Sequence, residues 1–160
     1  MDVLAKQYDW IKRTRELLFQ YCESLPQEDY VKELEIFAGD SILSSQVHVA
    51  NCYRWWLGVR TLGKSYPETT PESVKDINGV RSLFKEVDDL VQEFLSEFQG
   101  DWDKIIHMTL SSGEKLEPTT LWLYTHTTTH EFHHKGQIVK MGRYLGHIPP
   151  DTDLIEPPVL

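Results

Sequence analysis

From Ile77 to Phe98 the apolar residues Val80, Leu83, Val87, Leu90, Val91, Phe94 and Phe98 recur at steps of three, four and seven. Lys85, Glu86, Asp88, Asp89, Gln92 and Glu93 mostly fill the opposite side. That is the pattern of a helix with one buried face. Such a face needs partners, because helices in proteins owe most of their stability to packing.

The chain supplies three partners. Asp2 to about Glu23 carries Leu4, Tyr8, Ile11, Leu18 and Cys22 along one line, and Pro26 ends it. Arg15 interrupts the line and reads as a snorkelling residue or as the partner of an internal carboxylate. Ser41 to Leu62 places Val47, Ala50 and Leu57 on one line. Ser45, His48, Cys52, Trp55, Val59 and Leu62 lie on the next, so His48 is expected to point inward. Asp40 and Ser41 are N-cap candidates, and Gly63 is a C-cap. Pro118 opens a fourth helix that reaches about Leu145. Its threonines Thr125, Thr127, Thr128 and Thr129 are weak helix formers that need packing. Gly136 is expected to admit a close neighbouring helix.

Three connections separate these helices. Residues 24–39 and 64–76 are loops, with Thr70-Pro71-Glu72-Ser73 as a short capped turn in the second. Residues 100–117 form a small hairpin or a loop around Ser111-Ser112-Gly113, with His107 at its surface. The expectation is an all-α four-helix bundle with long connections, one domain over residues 1–160.

The net charge of −9, from 16 basic and 25 acidic residues, argues against binding to nucleic acid or an anionic membrane. No apolar run is long enough to span a bilayer. The opening Met1-Asp2-Val3-Leu4-Ala5-Lys6 lacks the pattern of a secretory signal. Cys22 and Cys52 lie within helical patterns and read as small buried hydrophobes in a reducing compartment. These features point to a cytoplasmic protein.

The functional signal lies in Thr129-His130-Glu131-Phe132-His133-His134-Lys135-Gly136-Gln137. His130 and His134 stand one helical turn apart, close enough to share a metal ion. They fall on a line with Leu123, Ile138, Met141 and Leu145, where a core face is expected. His126 lies one turn earlier, but the series drifts about 40° per step around the helix. One ion is therefore not expected to use all three, and a further ligand should come from another helix. His48 is the first candidate, and Cys52, one turn on, is a weaker competitor.

An inward histidine in the second helix, then His130-x-x-x-His134-Lys135-Gly136-Gln137, then Leu145-Gly146-x-x-Pro149-Pro150-x-x-Asp153, resembles the DinB-like (DinB/YfiT) superfamily across essentially the whole chain. Lys135 stands where an arginine is usual. The resemblance implies a four-helix bundle of that superfamily's connectivity, often dimeric, with Trp10 and Trp102 as aromatic positions able to serve a dimer. It implies a divalent metal, zinc or nickel among others, on His48, His130 and His134. It also implies a small-molecule substrate. Members of the superfamily include S-transferases that join low-molecular-weight thiols to electrophiles, isomerases and proteins described as hydrolases. A non-catalytic metal- or small-ligand-binding stress protein is the alternative.

Three histidines would leave a coordination position for water or a thiol. Ser44, Ser45, Glu131, His133 and Gln137 are candidates for supporting the ligands or moving protons, although helical geometry turns Glu131 and His133 away from the histidine pair. Trp55 and Tyr124 are candidates for lining a pocket.

Overall fold

The computed structural model describes residues 3–154. Each long helix after the first starts at a side-chain cap. Ser41 and Ser44 exchange backbone and side-chain hydrogen bonds of 3.0 and 2.8 Å at the start of α3. Asp76 accepts from the Gly79 amide at 2.9 Å, and Thr119 from the Trp122 amide at 3.1 Å. In chain order the helices are α1 (Val3–Glu23), a short α2 (Gln27–Tyr30), α3 (Ile42–Tyr53), a short α4 (Pro71–Val74), α5 (Ile77–Glu97) and α6 (Thr120–Tyr144). A 3-10 turn at Glu35–Phe37 precedes α3.

The four long helices form the bundle. α3 packs against α5 and α6, and α1 packs against the same two, so α1 and α3 take opposite corners. This order explains the long connections, since consecutive long helices are not always neighbours. The α5 stripe fills the centre: Val80, Val87, Val91 and Phe94 are fully buried, together with Ile42, Leu57, Leu123 and Ile138. Each such side chain contributes roughly 1.5–3 kcal/mol by leaving water. Residues 100–117 hold the small hairpin. Its strands β1 (Met108–Thr109) and β2 (Lys115–Leu116) pair antiparallel, Met108 opposite Leu116. His107 is exposed at its edge, 3.1 Å from Glu117.

Beyond Tyr53 the third helix continues as a π-helix, Arg54–Thr61. Its hydrogen bonds reach five residues back, as from Leu62 to the Leu57 carbonyl at 3.1 Å. The 3.6-residue lines drawn through Trp55, Val59 and Leu62 therefore break there. Leu57 and Gly58 are buried, and Val59 is exposed. Gly58 lies against the Tyr66 ring, where a Cβ would meet Tyr66 Cε2 at 2.6 Å.

The C-terminal segment docks on the bundle. His147 Nε2 lies 2.7 Å from Asp29 Oδ2, Lys135 donates to the Thr152 carbonyl, and Thr14 donates to the Asp153 carbonyl at 3.4 Å. Trp102 packs on the core, whereas Trp10 is exposed beside a groove of about 280 Å³ that Leu154 also lines.

Gly136 is exposed, and a Cβ there would meet nothing within 4 Å among the described residues. The expected close helix approach does not occur at this glycine. Gly136→Ala should therefore raise stability by up to about 1 kcal/mol through helix propensity alone. Gly79 behaves oppositely, because a Cβ there would collide with the Val74 carbonyl oxygen. Gly79→Ala should cost about 1–3 kcal/mol despite the better helix former. Urea unfolding of the two variants checks both signs.

Candidate metal centre

The inward face of α6 is Thr120, Leu123, Tyr124, Thr127, Thr128, Glu131, Lys135, Ile138, Met141 and Gly142, all buried. Three of its polar side chains are satisfied locally or across the core. Thr127 and Thr128 donate back to the carbonyls of Leu123 and Tyr124 at 3.1 and 2.9 Å. Glu131 is gripped by Arg15, with Nε to Oε1 at 2.7 Å and Nη2 to Oε2 at 2.9 Å.

The histidines lie at the edge of this face. Leu123 and Met141 share their line and are buried, whereas His130 and His134 between them are half-buried. His48 is exposed on the facing edge of α3 rather than pointing into the core. The expected inward histidines are thus a correction in degree. α3 and α6 pack together but leave their shared rim open, and the rings fill that rim.

There the three rings converge. His130 Nε2 and His48 Nε2 are 3.1 Å apart. Ring centroids lie 4.8 Å apart for His48 and His134 and 4.5 Å for His130 and His134. One nitrogen from each ring falls within 4.8 Å of the others. Imidazoles on one zinc ion sit about 2.0–2.1 Å from it, so shared nitrogens stand roughly 3.3–3.5 Å apart in a tetrahedral arrangement. The observed spacing brackets that value. Two ring nitrogens at contact distance need a proton or a cation between their lone pairs. In addition, His134 Nδ1 is buried without a hydrogen-bond partner. A divalent ion fits this donor set.

Electrostatics favour the ligand form of the α6 pair. Burial, then the neighbouring His134 and His48, push His130 down to about 4. Burial, then His48 and His133, lower His134 as well. Neutral imidazoles carry the lone pair that a metal needs. His126 stays outside the group, its ring stacked on His130 at 5.9 Å, as the drift around the helix implies. Cys52 is also outside the group, and burial raises its thiol to about 12, which disfavours the thiolate.

The supporting residues fall out differently from expectation. Ser44 is spent on the α3 cap, and Ser45 is buried 4.0 Å from Met141 Sδ. His133 is exposed and pairs with Gln137 at 3.2 Å. Tyr124 is buried and donates to the Leu4 carbonyl at 2.8 Å. Glu131 turns away from the histidine pair as helical geometry requires, but into the core rather than to solvent. Its Oε2 also accepts from Tyr53 at 2.7 Å. Arg15 Nη1 reaches Asp88 at 2.6 Å, and Tyr8 donates to the same oxygen at 2.7 Å. Burial and then the Glu131 charge raise the Tyr53 hydroxyl well above its usual range, so it stays a donor. One network thus joins α1, α3, α5 and α6. Tyr53 shares α3 with His48, and Glu131 shares α6 with the histidine pair. The latch therefore fixes the two ligand-bearing helices against each other.

These features define a helical bundle with a three-histidine rim site. A family model described as the DinB family matches residues 1–158, and the chain belongs to that family. No curated protein matches the chain. Among the described residues, no helix is long and apolar enough to cross a membrane.

Proposed function

We propose that the protein is a divalent-metal-dependent enzyme in which His48, His130 and His134 hold zinc or nickel and leave a coordination position for a small nucleophile. The observation that carries this reading is the convergence of three imidazoles from two helices, with no fourth His, Cys, Asp or Glu in the group among the described residues. A structural site would normally be closed by four protein ligands. When bound, such an ion supplies Lewis acidity that lowers the proton affinity of a coordinated water or thiol.

The chain's own contribution is positional. The rim location of the rings admits a small molecule from solvent, and the Arg15–Glu131–Tyr53 latch holds the ligands in place. His126 and His133 flank the ligand rings, within reach of a proton released at the rim. The reaction is transfer of a low-molecular-weight thiol to an electrophile, or hydrolysis by water at the same position.

The test uses protein loaded with one zinc or nickel per chain and a panel of small thiols with a bimane electrophile, beside ester and amide substrates. Turnover should require the metal, vanish on chelation and vanish in His130→Ala. Stoichiometric metal with no turnover of any kind would favour a non-catalytic metal-binding protein instead.

A further inference from the structure

The groove of about 280 Å³ between α1 and α6 leaves apolar groups wet: Trp10 is 39% exposed and Leu154 is 54% exposed. Ile11 from α1 and Tyr124 and Phe132 from α6 line it as well. The two hydroxyl residues on its wall are bonded back to their own helix. Thr128 donates to the Tyr124 carbonyl at 2.9 Å and Thr129 to the Thr125 carbonyl at 2.7 Å. Gln7 adds a side-chain amide. Such a groove favours an apolar occupant that brings few backbone donors, because unpaired donors are costly to bury. The chain itself delivers one. Lys135 and Thr14 hold the carbonyls of Thr152 and Asp153, and the backbone then reaches the groove at Leu154. The next six residues, Ile155-Glu156-Pro157-Pro158-Val159-Leu160, lie outside the described residues, and five of the six are apolar. Pro157 and Pro158 carry no N–H. A Pro-Pro step favours the polyproline II form that aromatic-lined grooves recognise.

We propose that residues 155–160 dock in the α1–α6 groove of their own chain, with Pro157 and Pro158 against the Trp10 indole. Pro157 follows Leu154 by three residues, a reach of roughly 10 Å. A segment tethered that closely acts at an effective concentration of about a millimolar or more, so modest apolar contact holds it. Gln7 supplies an amide donor for a prolyl carbonyl. The segment then straps α1 to α6 and covers the exposed indole. The proposal is independent of the metal reading, because no residue of the groove belongs to the histidine group.

NMR of the isotope-labelled full chain tests it. Nuclear Overhauser contacts should join the ring protons of Pro157 and Pro158 to the Trp10 indole. Replacing both prolines, Pro157→Asp with Pro158→Asp, should abolish those contacts and shift the Trp10 indole N–H signal, while the Trp102 signal stays in place. Trp10→Ala should release the segment from Tyr124 and Phe132 while the contact of His147 with Asp29 persists. The proline variant keeps the test decisive if Trp10→Ala does not fold. No contact between residues 155–160 and Trp10 in the wild type, with a Trp10 signal that ignores the proline substitutions, would overturn the proposal. A mixture of labelled and unlabelled chains separates the other occupant. Contacts at Trp10 that arise between chains would make the groove an interface with a second copy and would also overturn it.

Discussion

His134→Ala and His130→Ala should each weaken zinc or nickel binding by more than about 100-fold, measured by calorimetry or metal analysis after dialysis. Loss of groups that merely support metal ligands costs about 10–100-fold, and loss of a ligand itself should exceed that. His48→Ala should do the same, because the 3.1 Å contact between its Nε2 and that of His130 makes it the bridge between the two helices. His126→Ala should leave affinity within a few-fold, since its ring stacks beside His130 outside the donor group. The fold should survive all four changes, because none of these rings belongs to the buried core. Unchanged metal stoichiometry in His130→Ala would refute the ligand assignment.

Arg15→Met should be the most damaging single change to stability, costing about 3–5 kcal/mol. Arg15 is 4% exposed and neutralises Glu131, which is 7% exposed. Removing the guanidinium leaves a buried carboxylate whose remaining hydrogen bond among the described residues comes from the Tyr53 hydroxyl. It also frees Asp88 from its 2.6 Å contact. The cost should appear as a lower midpoint in urea with an unchanged slope. Because the same carboxylate latches α3 to α6, metal affinity should fall in this variant even though no ligand is touched. Replacing Arg15 and Glu131 together with apolar residues of similar size should recover part of the stability, because the uncompensated charge is then gone. A loss below about 1 kcal/mol in Arg15→Met would mean that the guanidinium is hydrated in solution and the latch is not formed.

The bundle was legible in the sequence because its helices obey a simple period. The α5 stripe and the caps at Ser41 and Thr70 follow from local chemistry. The histidine triplet was legible from spacing and resemblance, and the structure brings those three residues together. Its rim position was not. The true core face of α6 runs Tyr124, Thr128, Glu131, Lys135, Ile138, Gly142, alternating steps of four and three. Half of those residues are Thr, Glu and Lys, so a search for apolar periodicity passes over the line and settles on the one through the histidines. The signal that could have found it was Arg15 on the apolar line of α1, which needs a buried carboxylate in another helix. The π-helical turn at Arg54–Thr61 was hidden for a different reason. Hydrogen bonding five residues back carries no residue signature of its own, and it shifts every side chain after Tyr53 from its 3.6-residue line. Gly136 misled because a glycine in a helix suggests a close contact, whereas this one faces solvent.

Imidazoles from α3 and α6 are expected to share one cation. Crystals grown with zinc or nickel and measured across the metal's absorption edge test it most directly. The expected result is a single anomalous peak per chain, within about 2.0–2.2 Å of one nitrogen from each of His48, His130 and His134. An anomalous map without density among those rings, in crystals saturated with metal, would contradict the account.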